Sequence, residues 1–297
     1  MPGTADTTQD RTLTRADGRV VGFAEYGDPG GRPVLWCHGG PGSRLEPAAF
    51  VPAAADAGVR VVGVDRPGYG LTTAWPGRSI ADWVTDGLAV ADELGLDEFA
   101  VVGVSTGGAY ALALAAAAPD RVTGVVACCA LTDMSWAEGR AMMPRAGVAD
   151  LWDAPDRGAA LARAADAFGD DGSRFLAPDR PDPAGGVAVT LPPSDLAMLS
   201  DPTWLAGMLA GAAQMFAQGV VGYTDDRLAD GAGWGSFDPG AVRAPTVVLH
   251  GAADPVVPVA QAIHTAALVP GATLWIVEDL GHLSIVSELV PALGTLG

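Results

Sequence analysis

The stretch that decides the fold is Gly103-Val104-Ser105-Thr106-Gly107, a G-x-S-x-G motif. The apolar residues 99–102 before it predict a buried strand, and the alanine- and leucine-rich residues 109–118 after it predict a helix. A serine on a sharp strand-to-helix turn is typical of a nucleophile elbow, which holds its Oγ above the end of the strand. Glycines are needed on both sides because a Cβ there would collide with the neighbouring strand and helix. Ser105 is therefore the candidate nucleophile.

Composition and charge narrow the class of protein. The 297 residues are 49% hydrophobic and carry a formal net charge of −18, and all 17 basic residues are arginine. Such a chain can form one large α/β domain or a domain with an insertion. We interpret the acids as solvated side chains. So acidic a surface disfavours nucleic-acid and membrane partners. A small-molecule substrate is the expected partner, and the oligomeric state stays open.

Cysteines and apolar runs exclude several further classes. The three cysteines include the adjacent pair Cys128 and Cys129 in a predicted buried strand, which fits neither a disulfide framework nor the spacing of metal ligands. We expect inert thiols, no metal and no cofactor. The apolar runs are too short for a membrane span, and the polar residues 1–11 predict no signal peptide. The expected location is the cytoplasm, and the Ala-, Gly- and Arg-rich composition is typical of a GC-rich bacterial genome.

Strand and helix signals alternate along most of the chain. Strands are predicted at residues 12–14, 20–26, 34–37, 59–64, 99–102, 122–131, 246–250 and 272–277. Helices are predicted at residues 44–57, 80–94, 109–118, 259–268 and 283–293. This alternation predicts an α/β fold whose central sheet is mostly parallel and is flanked by helices. The active site of such a sheet lies at the carboxyl ends of its strands.

Residues 134–237 break the alternation, because they contain no clear strand signal. We interpret them as a mainly helical cap inserted into a core domain formed by residues 1–133 and 238–297. A Pro- and Gly-rich run at residues 178–193 predicts an irregular middle. An insertion at this edge of the sheet would cover the active site. The side chains that we predict to contact substrate are Trp136, Met142, Trp204 and Met215.

Several motifs together resemble one superfamily. They are His38-Gly39-Gly40-Pro41-Gly42, Asp65-Arg66-Pro67-Gly68-Tyr69-Gly70, residues 103–107, Asp254 and Gly281-His282. Each follows a predicted strand, and together they span nearly the whole chain. In this order the motifs resemble the α/β-hydrolase superfamily, in which nucleophile, acid and histidine follow one another along the chain. The resemblance implies a structural role for His38 beside the oxyanion site and for the Asp65-Arg66 loop.

Only four histidines are available as the general base that a serine nucleophile needs. His282 follows the last predicted strand, on a loop at the edge of the sheet where Ser105 lies. His250 ends an apolar strand, and His264 falls within an amphipathic helix, so packing explains both. We therefore predict that Nε2 of His282 accepts the proton of Ser105 and returns it to the leaving group.

The third member of the triad must be a carboxylate that fixes the imidazole tautomer. Asp254 lies on the loop after the penultimate strand, where the resemblance implies the acid. Asp133, after the preceding strand, is the alternative, whereas Asp279 is interpreted as capping its own loop. The oxyanion hole is predicted to use the backbone N–H of Thr106 and, as the resemblance implies, that of Gly40.

The reaction class follows from the nucleophile and the loops. A serine at position 105 disfavours the dehalogenases and epoxide hydrolases of the superfamily, which use Asp. The His38–Gly42 motif resembles proline iminopeptidases, but those carry Trp after the serine and bind an ammonium with cap glutamates. This chain has Thr106 there, and Glu138 is the single glutamate of the insertion. We expect a serine hydrolase for a small to medium apolar carboxylic ester, lactone or thioester, acting through an acyl-enzyme.

Other functions remain open on the same scaffold. The second hypothesis is an aminopeptidase or amidase similar to proline iminopeptidases. Acyl transfer or lactonisation, carbon–carbon bond hydrolysis and cofactor-free oxygenation need similar scaffolds. A small-molecule binding protein with little turnover would need the same pocket. Assays with esters, amino-acid anilides and added alcohol acceptors separate these classes.

Overall fold

A computed structural model of the chain describes residues 9–50, 53, 56–143, 149–174 and 190–296. Its centre is an eight-stranded sheet with the order β1-β2-β4-β3-β5-β6-β7-β8. The strands are β1 Gln9–Thr14, β2 Val20–Gly27, β3 Arg32–Cys37, β4 Val59–Val64, β5 Phe99–Val104, β6 Val122–Cys128, β7 Thr246–Gly251 and β8 Thr273–Val277. Strand β2 is antiparallel to β1 and β4, and the remaining pairs are parallel. The predicted mostly parallel α/β fold is confirmed.

Helices cover both faces of this sheet. Those outside residues 134–237 include α1 Val84–Glu93, α2 Gly107–Ala117, α9 Val259–Leu268 and α10 Leu289–Gly294. Along β3, Leu35 packs into one hydrophobic cluster with α1 and α2, whereas Val34 and Trp36 pack into another with α10. Successive side chains of a strand point to opposite faces, so a strand buried on both faces needs a continuous apolar run. The apolar runs that predicted the strands are therefore explained by the burial of both faces of the sheet.

The predicted helix at residues 44–57 is wrong at its start. The structure begins this segment with a 3₁₀ turn at Glu46–Ala49, whereas Ala53 and Asp56 are helical. Residues 51, 52, 54 and 55 lie outside the described residues. Arg44 is drawn into the core instead, because its backbone N–H and Nη1 bind the buried Asp65 carboxylate at 2.6 and 3.1 Å. A buried charge needs such a partner, and the pairing overrides the helical pattern.

The predicted strand at residues 122–131 and the helix at 283–293 also need correction. Strand β6 ends at Cys128, since Cys129 adopts a left-handed backbone with φ 42°. The second segment is a 3₁₀ helix at Ser284–Glu288 followed by α10. Both changes occur at the carboxyl edge of the sheet, where the chain turns toward the candidate site.

Between β6 and β7 the described residues form helices and no strand. They are α3 Ala137–Met142, α4 Ala149–Trp152, α5 Arg157–Phe168, α6 Pro193–Leu199, α7 Pro202–Met215 and α8 Val221–Gly231. Helix α7 lies directly on the Glu46–Ala49 turn, since a Cβ on Gly207 would come within 2.7 Å of Ala49 Cα. The cap at residues 134–237 stays a prediction, and residues 178–189 of the Pro- and Gly-rich run lie outside the described residues.

No helix among the described residues combines the length and apolar character that a membrane crossing needs.

Candidate active site

The elbow between β5 and α2 holds Ser105 in a left-handed backbone with φ 52°. Such a conformation costs a non-glycine residue about 1–3 kcal/mol and is concentrated at functional sites. The Ser105 N–H donates to the carbonyl of Cys128 at 2.9 Å, which ties the elbow to β6. A Cβ on Gly103 would collide with the carbonyl of Gly107, and one on Gly107 with that of Cys37. These contacts give the physical reason for both glycines of the motif.

Asp254 and His282 meet at the same edge of the sheet. Nδ1 of His282 lies 2.7 Å from Oδ2 of Asp254, while Oδ1 accepts the N–H groups of Val256 and Val257 at 2.8 and 2.9 Å. The carboxylate is almost fully buried and fixed by three bonds. Because Asp254 accepts a hydrogen bond from Nδ1–H, the lone pair of His282 resides on Nε2, as a general base requires.

The loop that carries His282 is held by a residue of the insertion. Asp195 of α6 is fully buried, and its Oδ1 accepts the N–H and hydroxyl of Ser284 at 2.8 and 2.7 Å. The Ser284 hydroxyl oxygen accepts the N–H of Gly281 at 2.8 Å. A Cβ on Gly281 would come 2.5 Å from the second oxygen of Asp195. Sequence analysis missed Asp195, because nothing in the local pattern around it indicates a partner 89 residues away.

The protonation of His282 sets a pH dependence. Burial opposes the charged imidazole, whereas the Asp254 carboxylate bonded to Nδ1 favours it, and the pKa of His282 is raised well above 6.5. A general base must be neutral, so activity is present above that raised pKa and lost as the pH falls through it. We expect kcat/KM for an ester, measured from about pH 5 to about pH 9, to show an acidic limb with its midpoint above 6.5. A midpoint below the ordinary histidine pKa would contradict this arrangement.

The remaining candidates for base and acid have other partners. His250 is fully buried and its Nε2 donates to the carbonyl of Val257 at 2.8 Å. Nδ1 of His264 lies 2.8 Å from the Thr132 hydroxyl. Oδ1 of Asp133 accepts the N–H groups of Ser135 and Trp234 at 2.9 and 3.0 Å, and so closes a loop. The geometry thus favours Asp254 over Asp133 as the acid.

The two predicted oxyanion residues lie side by side. A Cβ on Gly40 would be 2.7 Å from Oγ1 of Thr106, and one on Gly39 would be 3.7 Å from Cβ of Ser105. The Ser105 carbonyl accepts the N–H of Gly108 at 3.0 Å. Since N–H and C=O point in opposite directions in a trans peptide, this bond turns the Thr106 N–H the other way. The start of α2 also directs its free N–H groups to this point.

Glu46 is a further residue that the sequence did not reveal. Its Oε2 accepts the N–H of Gly39 at 2.9 Å and its Oε1 accepts Nε1 of Trp36 at 2.9 Å. Burial raises the pKa of the Glu46 carboxyl above its ordinary value. The Glu46 side chain therefore connects the 3₁₀ turn to the loop at His38–Gly42, here called the oxyanion loop, and fixes that loop.

Cys129 occupies an unexpected place next to the triad. Its Sγ, a carboxylate oxygen of Asp254 and a ring nitrogen of His282 lie within 4.8 Å of one another. Burial raises the pKa of the Cys129 thiol well above its ordinary value, which keeps it protonated. The three atoms form a group with the chemistry of metal ligands, although the 2.7 Å contact between Asp254 and His282 is a hydrogen bond.

The four predicted substrate contacts are scattered over the insertion. Trp136 stacks on His264 with ring centroids 4.2 Å apart, and Met142 at the end of α3 is 49% exposed. Trp204 and Met215 lie half-buried at opposite ends of α7. The structure brings together the predicted acid and histidine, and the two oxyanion residues, whereas the roles of these four side chains stay predictions.

With this geometry in place, comparison with known proteins assigns the family. The model of the alpha/beta hydrolase fold family matches residues 32–289, and the chain belongs to this family. It is 26% identical over 274 residues to a non-heme haloperoxidase of Rhodococcus erythropolis, covering 91% of this chain and 92% of the relative. It is 28% identical over 255 residues to a 2-hydroxymuconate semialdehyde hydrolase of Pseudomonas putida, covering 85% and 81%.

Solved structures agree on the fold. A thermophilic esterase from Thermogutta terrifontis superposes with a TM-score of 0.68 at 21% identity and covers 97% of each chain. At this identity the likeness concerns the fold alone. The family supports a hydrolase that acts on a small molecule.

Proposed function

We propose that the protein is a serine hydrolase that cleaves a small to medium apolar carboxylic ester, lactone or thioester through an acyl-enzyme. The observation that carries the proposal is the 2.7 Å bond from His282 Nδ1 to Asp254, at the sheet edge where Ser105 occupies a strained elbow. A buried acid after β7, an oriented imidazole after β8 and a serine after β5 form the arrangement that activates a hydroxyl.

Acylation of Ser105 is the first half of the proposed reaction. Oγ of Ser105 forms a bond to the substrate carbonyl carbon while Nε2 of His282 takes the hydroxyl proton. The carbonyl oxygen becomes an oxyanion, which the N–H groups of Gly40 and Thr106 stabilise. The bond to the leaving oxygen or sulfur then breaks, and His282 returns the proton to it. Each oxyanion donor of this kind typically contributes about 2.7–4 kcal/mol to the transition state.

Deacylation repeats the sequence with water. His282 takes a proton from a water molecule while the water oxygen adds to the acyl carbon. The bond between this carbon and Ser105 Oγ then breaks. The carboxylic acid is released, and Ser105 recovers its proton. Asp254 stabilises the imidazolium in both halves without itself being protonated.

Two related reactions compete with ester hydrolysis as the function of this site: aminopeptidase activity and carbon–carbon bond hydrolysis. The glutamate of the insertion, Glu138, is exposed, which favours an ester over the ammonium-bearing substrate of an aminopeptidase. Carbon–carbon bond hydrolysis is the second candidate, because the likeness to the 2-hydroxymuconate semialdehyde hydrolase extends over 85% of this chain.

A substrate panel tests the proposal directly. It contains p-nitrophenyl esters of increasing acyl length, lactones, thioesters, amino-acid anilides and 2-hydroxymuconate semialdehyde. We expect steady-state turnover of esters or lactones and no comparable turnover of anilides. Faster cleavage of the semialdehyde would favour the second candidate, and a single burst without turnover would favour a binding protein.

The insertion is expected to set the acyl-chain preference. Truncating at least one of its predicted contact residues to alanine should move the acyl-length optimum while Ser105 still reacts with a fluorophosphonate. The reason is steric, since one methylene in an apolar pocket is worth about 1–3 kcal/mol of discrimination. The variants to compare are Trp136→Ala, Met142→Ala, Trp204→Ala and Met215→Ala.

The control for these truncations is Ile263→Ala, which removes a 51% exposed apolar side chain of α9 in the core domain. It should leave the profile of rate against acyl length unchanged. If all four truncations in the insertion also leave it unchanged in folded protein, the insertion does not select the substrate.

A further inference from the structure

Beneath the oxyanion loop lies a buried group of five charged residues, here called the arginine cluster: Arg66, Arg78, Arg227, Asp226 and Asp230. The two aspartates and Arg227 come from α8, the last of the helices between β6 and β7. All five are at most 4% exposed. This finding corrects the interpretation of the acids as solvated, at least for Asp226 and Asp230.

The cluster is held together by ion pairs and has more positive than negative groups. Asp226 binds Nη2 of Arg66 at 2.7 Å and pairs closely with Arg78. Arg227 pairs with Asp230 at 2.5 Å. Burial raises the pKa of Asp230 to about 6, although Arg227 opposes that shift. Three guanidinium groups therefore face two carboxylates in a site closed to water. A field of this sign favours negative charge on its neighbours.

One arginine of the cluster fixes the first oxyanion donor. Nη2 of Arg66 donates to the Gly39 carbonyl at 2.7 Å. Nε2 of His38 accepts the backbone N–H of Arg66 at 3.1 Å, so the ring proton sits on Nδ1 and donates to the same carbonyl at 2.7 Å. Because N–H and C=O point in opposite directions in the trans peptide joining Gly39 to Gly40, these bonds direct the Gly40 N–H away from the cluster.

Arg227 makes the corresponding contact on the other side of the hole. Its Nη2 donates to Oγ1 of Thr106 at 2.6 Å. A Cβ on Gly40 would lie only 3.0 Å from the same Nη2, so the guanidinium sits where the two donor residues meet. The same Nη2 also lies 2.5 Å from Oδ2 of Asp230. A charge-assisted bond to a hydroxyl in a buried site is stronger than a neutral one and restricts the side chain that accepts it.

We propose that Arg227 is a positioning residue of the oxyanion hole, which acts through the Thr106 hydroxyl to hold the Thr106 N–H on the developing oxyanion. The inference rests on the proposed serine mechanism and deepens it. It explains why a cluster with an excess of arginine lies buried at this point. A purely structural contact could be made by apolar side chains, which avoid the free energy of desolvating charges.

The test measures the rate at which a fluorophosphonate phosphonylates Ser105, alongside kcat and KM for the best ester of the panel. In Thr106→Val the backbone N–H remains and the hydroxyl is lost. We expect the phosphonylation rate and kcat to fall about 10- to 100-fold with KM little changed, because losing a whole oxyanion donor typically costs 10²–10³. Thr106→Ser, which restores the hydroxyl, should recover most of this loss.

Arg227→Met removes the same bond from its other end. If the two side chains act as one unit, the double variant loses no more than the larger single loss, which is the signature of coupling in a double-mutant cycle. The matched control is Arg157→Met, which breaks the 2.6 Å pair of Arg157 with Asp225 on the same helix α8. Arg157 is partly exposed, and its loss should change neither rate by more than about twofold.

The outcomes separate this inference from the proposed function. Three results would overturn the inference. The first is a phosphonylation rate and kcat for Thr106→Val within about threefold of the wild type, and the second is an effect of Thr106→Val on KM alone. The third is a double variant in which the two single losses multiply. If Arg227→Met does not fold, Thr106→Val and Thr106→Ser decide alone. A wild type that is phosphonylated but hydrolyses no ester, lactone or thioester contradicts the proposed substrate class, while the phosphonylation rates still test the role of Arg227.

Discussion

Replacing Ser105 with alanine is expected to lower kcat for esters by about 10⁶, the scale seen when a triad serine is removed from serine hydrolases. Alanine has no oxygen to form the acyl-enzyme, and the residual rate would come from the oxyanion hole and from binding. The measurement is steady-state hydrolysis of the best ester at saturating concentration. The variant should keep the melting temperature of the wild type or exceed it, since the strained serine contributes no packing that the alanine Cβ lacks.

The control is Ser200→Ala, which changes a serine at the end of α6 whose hydroxyl donates only to the Leu196 carbonyl. It should hydrolyse esters at the wild-type rate. If Ser105→Ala kept the wild-type rate, another residue would be the nucleophile and the serine mechanism proposed here would be wrong.

Asp254→Asn is expected to lower kcat by about 10³–10⁴ while leaving the fold intact. The amide oxygen can still accept the N–H groups of Val256 and Val257, as Oδ1 does now. The amide nitrogen would then face Nδ1 of His282 and donate to it. That arrangement places the ring proton on Nε2, which can no longer accept the proton of Ser105.

Asp133→Asn is the matched control, because its Oδ1 also accepts two backbone N–H groups that an amide oxygen can satisfy. Turnover by this variant should stay close to that of the wild type. The opposite pattern, with a large loss at Asp133 and none at Asp254, would show that the acid had been assigned to the wrong strand end.

The fold could be predicted, and a centre of the site could be proposed, because their signals are local. An apolar run followed by glycines marks the end of a buried strand, and Ser105, Asp254 and His282 each follow such a run. Parallel strands bring their carboxyl ends to one edge, so residues far apart in the chain become neighbours. The family match supports this interpretation, and the hydrogen bond between Asp254 and His282 agrees with it.

The supporting residues could not be predicted, for a physical reason. Arg227 contacts Thr106 across 121 residues, and Asp195 contacts Ser284 across 89. On a helix such as α8 a charged residue normally indicates the solvated face. For Arg227 that expectation is reversed by burial together with a partner of opposite charge, Asp230. The wrong start of the helix predicted at residues 44–57 has the same origin, because its pattern contains no sign of the partner that turns Arg44 inward.

The central claim is that Ser105 is a nucleophile activated by His282 and Asp254. The most direct measurement is to treat the protein with a fluorophosphonate, weigh the intact chain by mass spectrometry and map the adduct by peptide sequencing. The account predicts one phosphonyl group per chain, located on Ser105, and much slower labelling in Asp254→Asn. Labelling of another serine, or labelling of Ser105 that is equally fast in Asp254→Asn, would contradict it.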